Sequence, residues 1–587
     1  MRSKFKVGPA IAGLLCLGVL GSPLPALDAS AAAAQRGVST NKGSSLFVDA
    51  TAESGLDFTH INGAAGELLL PEVIGAGGAL FDYDNDGDLD LFAVQGGMLR
   101  TRDSGSGTRD SQSPKSRLFR NDLTVNRDGT RTFRFTDVTE RSGIVATGYG
   151  MGAATGDIDN DGWVDLYVTY LGSNRMFRNK GDGTFADVTA RTGTGDTRWS
   201  TSATFFDYDR DGWLDLFVVN YVNFGLDMKR GCFSAGSARD YCNPVVYDPA
   251  PDTLYHNNRD GTFSDVSVRA GITRSSGRGL GVLAADVNAD GWTDLYVAND
   301  GDGNQLWLNE RGSGAFKDEA LLAGVAVSRT GRAQGSMGID LGDVDRDGDE
   351  DLFVTNLDNE GNTLYTNVGQ ALFEDRTVEA GLFKLGFTGF GTRLVDYDND
   401  GWLDVIVVNG AVRHMSTQVQ RGDPYPLKQH KHVFHNERGR FADVTPSAGS
   451  VFALLEVSRG LSVGDLDNDG DSDLVVFNNA GPARVLLNDV GSRRHWLGVR
   501  AIDGRYQRDG LAARVELVRR GGPLWRRVQA DGSYCAASDT RVVFGLAGDT
   551  APQTIRVHWP GGKVEEFRNL AVDRYWVLES GKPPRAL

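Results

Sequence analysis

An acidic phrase, Asp-x-Asp/Asn-x-Asp-Gly-x-x-Asp, recurs along the chain and limits the possible folds more than any other pattern. Its seven copies begin at Asp82, Asp157, Asp207, Asp286, Asp343, Asp396 and Asp465. A Gly-rich apolar stretch, such as 75–81, precedes the phrase and an apolar run follows it. A short segment ending in Asn comes next, and then, except in the last unit, a Phe-x-Asp/Glu segment. Four short strands per unit predict an all-β fold, a seven-bladed β-propeller.

The two ends of the repeat region complement each other. The seventh unit stops at Asn488 and lacks the Phe-x-Asp strand, whereas one such strand, from Phe47 to Thr51, precedes the first unit. We expect this N-terminal strand to complete the last blade, because an open sheet edge would invite aggregation. The predicted propeller therefore spans residues 46–488.

The acidic phrases have the ligand pattern of a calcium site. Side-chain oxygens at positions 1, 3, 5 and 9 and a carbonyl at position 7 are hard ligands at EF-hand-like spacing, and Gly at position 6 permits the sharp turn. The alternative is a set of solvated Asp-Gly turns. Seven matching copies favour metal binding, with up to seven Ca²⁺ ions. The predicted ligands are Asp82, Asp84, Asp86, Asp88, Asp90, Asp157, Asp159, Asp161, Trp163, Asp165, Asp207, Asp209, Asp211, Trp213, Asp215, Asp286, Asn288, Asp290, Trp292, Asp294, Asp343, Asp345, Asp347, Asp349, Asp351, Asp396, Asp398, Asp400, Trp402, Asp404, Asp465, Asp467, Asp469, Asp471 and Asp473.

The charge of the chain agrees with cation binding. Among its 587 residues, 78 acidic side chains against 61 basic ones give a formal net charge of −17. A nucleic-acid-binding protein needs basic residues to neutralise phosphates, so this charge argues against nucleic acid as a partner. Cations or basic partners fit it better.

The N-terminus and the cysteines indicate export. Basic residues, an apolar run and small residues make 1–34 a predicted signal peptide and linker, and no later segment is long enough to span a membrane. The protein is then secreted or periplasmic. Cys232 and Cys242 bracket a short polar loop, which predicts a disulfide in an oxidising compartment and leaves Cys535 unpaired.

The repeat phrase and the tail resemble known families. The phrase Gly78-Ala79-Leu80-Phe81-Asp82-Tyr83-Asp84-Asn85-Asp86-Gly87-Asp88-Leu89-Asp90 resembles the FG-GAP/VCBS repeats of integrin α-subunit propellers. The tail, residues 489–580, resembles the ASPIC/UnbV domain, on the motifs Trp496-Leu497-Gly498-Val499, Gly510-Leu511-Ala512-Ala513-Arg514-Val515, Gly532-Ser533-Tyr534, Phe544-Gly545-Leu546 and Val557-His558-Trp559-Pro560-Gly561-Gly562-Lys563. Together they resemble the cartilage acidic protein family and its bacterial homologues. This resemblance implies an extracellular calcium-binding propeller with a small β-rich C-terminal domain, although Tyr506-Gln507-Arg508-Asp509 replaces the family's usual Asn-Arg pair.

Other residue sets suggest weaker sites, each with a structural alternative. His60 and Glu72, with Asn62 nearby, are candidates for a general acid–base pair, or they only bond water and backbone. The remaining sets are an arginine ring for an anion (Arg278, Arg393, Arg459), a histidine cluster for a transition metal (His414, His430, His432, His435) and an integrin-type tripeptide (Arg421, Gly422, Asp423). The alternatives are that the arginines only bond strand-end carbonyls, that the histidines belong to a solvated loop, and that the tripeptide is a coincidence. The position-7 Trp side chains are expected to pack between blades.

These patterns support two hypotheses of function. The first is an extracellular recognition or adhesion module that binds a protein or carbohydrate ligand, since the loops of a propeller form a binding surface on a rigid scaffold. The alternative is a calcium-assisted lyase, cyclase or hydrolase with its site in the central pocket.

Overall fold

A computed structural model of the chain describes residues 45–99, 114–228, 230–234 and 237–587, so the predicted signal peptide at 1–34 lies outside the described residues. Within them, seven antiparallel sheets are each built from four consecutive strands of the ring, and we number them blades 1 to 7. The all-β propeller with a β-rich C-terminal domain is therefore confirmed.

In each blade the strands run from the inner edge of the ring to its outer edge. The strands of blades 1 to 4 are Gly78–Phe81, Asp90–Ala93, Arg117–Asn121 and Phe135–Asp137; Gly150–Gly156, Asp165–Tyr170, Arg175–Asn179 and Phe185–Asp187; Ser200–Phe206, Asp215–Asn220, Thr253–Asn257 and Phe263–Asp265; and Gly279–Ala285, Asp294–Asn299, Gln305–Asn309 and Phe316–Asp318. Those of blades 5 to 7 are Ile339–Gly342, Asp351–Val354, Thr363–Asn367 and Phe373–Asp375; Gly389–Val395, Asp404–Asn409, His432–Asn436 and Phe441–Asp443; and Ser458–Gly464, Asp473–Asn478, Arg484–Asn488 and Phe47–Asp49.

The ring is closed by the N-terminal strand. Phe47–Asp49 pairs antiparallel with Arg484–Asn488, with Phe47 opposite Asn488, and so supplies the outer strand of blade 7. The inner strands of neighbouring blades contact one another all the way around, including those of blades 7 and 1. The predicted closure is therefore confirmed.

Antiparallel order divides the loops between two ends of the ring. The first-to-second and third-to-fourth connections share one end, which we call the acidic end because the seven acidic loops lie there. The second-to-third connections and the links between blades share the opposite end. Short helices follow the outer strands of blades 1 to 4, at Thr139–Ser142, Thr189–Thr192, Ser267–Ala270 and Ala320–Ala323.

The C-terminal domain is a pair of sheets around its own apolar core, which includes Leu497, Val515 and Phe544. One sheet contains His495–Asp503, Arg508–Asp509, Val542–Ala547, Tyr575–Glu579 and Arg585–Ala586, and the other Arg514–Leu517, Leu524–Arg527, Gln553–His558 and Val564–Leu570. The domain contacts the acidic end of the ring. Arg541 donates to the Gly87 carbonyl and Arg508 donates to the Asn160 side-chain oxygen, both in acidic loops.

A segment of the C-terminal domain enters the central channel. Ala536–Ala537 pairs in parallel with the inner strand of blade 1, and the Tyr534 hydroxyl donates to the Ile74 carbonyl at 3.0 Å. Glycine occurs in or just before the inner strands where this segment passes. A Cβ on Gly77 would lie 2.0 Å from the Cys535 carbonyl oxygen, and one on Gly152 2.7 Å from the Cys535 Cα. These glycines allow the channel to be filled.

Loops of the opposite end cover the other channel mouth. Tyr241 and Leu427, from the long connections of blades 3 and 6, are buried in one apolar cluster with Tyr534 and Cys535. Cys232 and Cys242 form a disulfide within the blade 3 connection, as predicted, and Cys535 is a buried free thiol. Among the described residues, no helix is long and apolar enough to cross a membrane.

Candidate metal sites

The seven acidic loops share one backbone conformation. Glycine at position 6 has a φ between 86° and 105° in every loop, a region that side chains other than glycine rarely adopt. The residue at position 4 is also left-handed in every loop, with φ between 54° and 64°. Two left-handed residues so close together fold the carboxylates of each loop toward one point.

The aspartate at position 9 ties each loop to its blade. In blade 1, one oxygen of Asp90 accepts the N–H of Tyr83 at 3.0 Å and the other accepts the N–H of Asn121 at 2.8 Å. The same two bonds recur in the other six blades, made by Asp165, Asp215, Asp294, Asp351, Asp404 and Asp473. These carboxylates therefore have a scaffolding role whether or not they also bind a cation.

The aspartate at position 1 is buried in loops 2, 5, 6 and 7 and half-buried in loops 1, 3 and 4. In six loops its oxygens accept the N–H groups of positions 5 and 6, as Asp82 does from Asp86 and Gly87. Burial raises the pKa of all seven: to about 6 for Asp157, Asp207, Asp286 and Asp343, about 7 for Asp82, and about 8 for Asp396 and Asp465. A nearby cation would favour the charged carboxylates that burial disfavours.

Several loop oxygens are buried without a hydrogen-bond donor among the described residues. They are Asp84 Oδ1, Asp159 Oδ1, Asp343 Oδ1, Asp398 Oδ1 and Asp471 Oδ1, in loops 1, 2, 5, 6 and 7. Carboxylate triads such as Asp82, Asp84 and Asp86 also offer oxygens within 4.8 Å of one another. An unpartnered buried carboxylate oxygen is costly, and a bound cation removes that cost, so the donor set fits a hard divalent ion.

Basic side chains already compensate part of this charge. Arg178 donates to Asp159 and Asp161 in loop 2. In loop 3, His256 Nδ1 lies 3.2 Å from Asp215 Oδ1, and in loop 6 His435 Nδ1 lies 3.0 Å from Asp404 Oδ1. The bond to Asp404 raises the pKa of His435 to about 9. The seven loops are therefore not chemically equivalent.

The C-terminal domain contacts loops 1 and 7 directly. The Tyr575 hydroxyl donates to Asp465 Oδ2 at 2.8 Å, Arg541 donates to the Asp465 carbonyl at 3.1 Å, and Arg500 Nη1 lies 3.5 Å from Asp82 Oδ2. A cavity of about 260 Å³ between the domain and blades 1 and 2 is lined by Asp82 and Asp157 among others. The conformation of loops 1 and 7 and their contacts with the C-terminal domain therefore depend on each other.

The two acid–base candidates lie in the covered channel mouth. His60 is 2% and Glu72 1% exposed. Burial lowers the pKa of His60 to about 3, and Glu72, whose pKa burial raises, accepts from the Tyr241 hydroxyl at 3.1 Å. The Asn62 amide donates to the Glu72 carbonyl at 2.8 Å. The contacts found here are those of a buried polar network.

Among the described residues, none of the other predicted sets comes together as a whole. Arg459 is fully buried and donates to the carbonyls of Val73, Gly410, Ser458 and Ala411; Arg278 pairs with Asp302 and Arg393 with Asp340, so the three arginines form no common anion site among the described residues. Of the four histidines, His430 and His432 both lie beside Asn409, whereas His414 lies beside Asp240 and His435 beside an acidic loop. The carboxylate of Asp423 in the Arg-Gly-Asp tripeptide is held by Lys428 at 3.1 Å.

Sequence reasoning missed three features around the loops. The Asn that ends each third strand donates to the position-2 carbonyl of the preceding blade, in all seven blades. The position-4 side chain reaches the next loop; Asn85, for example, donates to Gly162 O at 2.9 Å, and Arg346 stacks on Trp402. His256 and His435 occupy equal positions in their blades. The repeated Asn and the shared His-Asn ending were visible signals, but their partners lie on other segments.

Comparisons with known proteins agree with this architecture. A family model of FG-GAP-like repeats matches residues 157–218, 244–297, 286–354 and 343–407, and a model described as ASPIC and UnbV matches residues 504–585. The chain is similar to Cartilage acidic protein 1 of Xenopus tropicalis, with 26% identity over 380 residues that cover 54% of this chain and 57% of the relative. Similarity to Cartilage acidic protein 1 of Homo sapiens is 28% over 325 residues, 52% of this chain and 44% of the relative.

The chain thus spans about half the length of the curated relatives it matches. Among solved structures, an Agrocybe aegerita lectin that recognises non-reducing terminal N-acetylglucosamine aligns at 16% identity and a TM-score of 0.35, covering 58% of this chain and 82% of the lectin. The repeats and the tail carry the assignment: the chain is a β-propeller that contains FG-GAP-like repeats, and its C-terminal domain matches the ASPIC and UnbV family model.

Proposed function

We propose that this protein is a secreted recognition module whose acidic loops bind Ca²⁺. The observation that carries the calcium proposal is the set of buried loop oxygens without a donor among the described residues, such as Asp84 Oδ1 and Asp343 Oδ1. Carboxylate and carbonyl oxygens suit Ca²⁺, which accepts six to eight such ligands. When bound, Ca²⁺ would supply positive charge to the loops, and its binding free energy would add to the stability of the ring.

Calcium binding is tested by metal analysis and thermal unfolding of the mature chain. After removal of metal and dialysis against Ca²⁺, we expect several ions per chain and a clear upward shift of Tm compared with the chelated protein. The paired substitution Asp84→Asn and Asp86→Asn should remove one ion, whereas Asp128→Asn, at an exposed hairpin turn of blade 1 outside the seven acidic phrases, should remove none. An unchanged Tm and no bound calcium would reject the proposal.

The recognition surface in this proposal is the opposite end of the ring. The acidic end is in contact with the C-terminal domain, whereas exposed apolar side chains lie on opposite-end loops, among them Ile61, Met98, Phe233 and Phe383. Exposed apolar side chains on rigid loops suit a protein or carbohydrate ligand. Export is supported by the predicted signal peptide and by the disulfide between Cys232 and Cys242.

Ligand binding is tested with glycan arrays and immobilised extracellular matrix proteins. A partner that binds the wild-type chain should lose binding to Phe233→Asp, and it should bind Val368→Asp unchanged, because Val368 is exposed in a third-to-fourth strand connection on the acidic end. Equal loss in both variants would reject the opposite end as the binding surface. The same partner should bind only the calcium-loaded chain if Ca²⁺ stabilises the ring.

A further inference from the structure

Two of the seven blades place a histidine beside their acidic loop. The third strand ends in His256-Asn257 in blade 3 and in His435-Asn436 in blade 6. The residue before the closing Asn differs in the other blades: Arg120, Arg178, Leu308, Thr366 and Leu487. The residue before the closing Asn has the same strand register in all seven blades. Its side chain therefore determines which chemical group lies beside the carboxylates of each acidic loop.

In both blades an imidazole nitrogen lies among the carboxylates of the acidic loop. His256 Nδ1 lies 3.2 Å from Asp215 Oδ1 and 3.5 Å from Asp209 Oδ2, and each of the three residues has a ligand atom within 4.8 Å of those of the other two. In blade 6, His435 Nδ1 lies 3.0 Å from Asp404 Oδ1, and ligand atoms of His435, Asp398 and Asp400 lie within 4.8 Å of one another. Each group combines one nitrogen and two oxygen ligands around one point.

Arginines pair with one carboxylate of each loop, outside the mixed group in blade 3 and within it in blade 6. In blade 3, Arg259 pairs with Asp211, which does not belong to the group. In blade 6, Arg494 lies 3.1 Å from Asp398 Oδ2, while Asp398 Oδ1 is buried without a donor among the described residues. In blade 2, by contrast, Arg178 occupies the strand position of the two histidines, and it bonds two carboxylates of the loop itself.

Ligand chemistry separates these two loops from the rest. Ca²⁺ takes oxygen ligands, whereas neutral imidazole suits first-row transition ions, which also accept carboxylates. We propose that loops 3 and 6 are mixed histidine–carboxylate sites for a divalent transition ion of the Zn²⁺ or Co²⁺ type, while the oxygen-only loops take Ca²⁺. The inference rests on the proposed function in treating the acidic loops as cation sites. Binding releases the Nδ1 proton to solvent and leaves the metal on the nitrogen lone pair.

The test uses Co²⁺ as a spectroscopic probe on the full mature chain. Metal-stripped protein is saturated with Ca²⁺, titrated with Co²⁺ and followed by visible absorption, with both metals counted in the same sample. We expect two retained Co²⁺ per chain with ligand-field bands, displaced by Zn²⁺. His256→Leu and His435→Leu, which copy the residue of blades 4 and 7, should each lose one Co²⁺, and the double variant both. The matched control Arg178→Leu should retain two.

Each outcome decides the inference. Failure to retain Co²⁺ in Ca²⁺, or equal retention by the double variant, overturns it and assigns the histidines the charge-compensating role that Arg178 has in blade 2. X-ray absorption of wild-type Co²⁺ protein, which must show imidazole scattering, decides the question if a variant does not fold. Calcium bound without histidine-dependent Co²⁺ rejects only this inference. Histidine-dependent Co²⁺ without any bound calcium rejects the calcium proposal and leaves this one standing.

Discussion

Single residues in this propeller are placed by backbone geometry as much as by chemistry. Position 4 of every acidic loop is left-handed, a conformation that asparagine tolerates better than most residues. Loops 1, 2, 6 and 7 have asparagine there, whereas loop 4 has Ala289 with φ 56°. Among the described residues, Ala289 is also the short side chain that cannot reach the following loop. Loop 4 therefore combines backbone strain with a missing link.

Substitution of Ala289 should stabilise the protein. Ala289→Gly relieves the left-handed strain and should raise the free energy of unfolding by about 1 kcal/mol. Ala289→Asn should raise it by a further ~1 kcal/mol, because its amide can donate to loop 5 as Asn85 donates to loop 2. Urea unfolding in the presence of Ca²⁺ measures both. If the Ala289→Asn variant were no more stable than the wild type, the loop-to-loop role would be contradicted.

His60 should make stability depend on pH. Its pKa is lowered to about 3 by burial and by the charge of Arg459, whereas the unfolded side chain titrates near the ordinary value of 6.5. Between these values the unfolded state binds more protons, so stability falls as the pH falls below 6.5. The loss by pH 5 should be about 2 kcal/mol. His60→Asn should remove this part of the pH dependence in chemical unfolding, and an unchanged slope would refute it.

At the scale of the strand, the asparagine that ends each third strand connects two blades. Its N–H bonds the position-9 aspartate of its own blade, and its amide bonds the preceding blade, as Asn309 does with Asp294 and the Tyr208 carbonyl. In blade 1 the same bond runs from Asn121 to the Leu466 carbonyl of blade 7. One residue type therefore ties each strand end to the neighbouring blade around the whole ring.

Loss of this asparagine should strongly reduce stability. Asn309→Ala leaves the buried Tyr208 carbonyl without its amide donor and should lower the free energy of unfolding by about 1–3 kcal/mol. Asn258→Ala, at an exposed position one residue beyond the equivalent Asn257, is the control and should change it by less than about 0.5 kcal/mol. Equal effects of the two substitutions in urea unfolding would show that the blade-to-blade bond contributes little.

The elements of this fold follow from local patterns in the sequence, and its long-range contacts do not. Period and turn residues predict the four strands of each blade and the acidic loops, because both depend on neighbouring residues. The amide of Asn309 and the buried setting of Glu72 depend on segments about 100 or more residues away. The passage of Tyr534 and Cys535 through the channel was not predicted either, because only the folded ring creates a narrow hole lined by Gly77 and Gly152.

For the whole molecule, the N-terminal strand and the C-terminal domain together complete the ring. Phe47 packs against Tyr397 and Phe452 and is 1% exposed, while its neighbour Val48 is 41% exposed. The strand therefore buries one face against blades 6 and 7 as well as adding hydrogen bonds. The C-terminal domain contributes a fifth strand to blade 1 and the residues that fill the channel.

The two faces of the N-terminal strand should respond differently to truncation. Phe47→Ala removes a fully buried ring and should cost about 3–5 kcal/mol. Val48→Ala on the exposed face of the same strand should change stability by less than about 0.5 kcal/mol. Limited proteolysis and thermal unfolding measure both effects, and release of the N-terminus should accompany the Phe47 substitution. Similar stability of the two variants would mean that the strand does not hold blade 7.

Pairing of Phe47 with Asn488 also imposes an order of events during synthesis. About 440 residues separate the two, and at ~5–20 residues per second the ribosome needs roughly 20–90 s to make them. Over that interval the first strand has no native partner, and six blades emerge before the seventh can recruit it. Newly made chains must therefore keep an apolar N-terminal segment from aggregating until the last blade appears, so helper proteins that shield such segments should affect yield more than final stability.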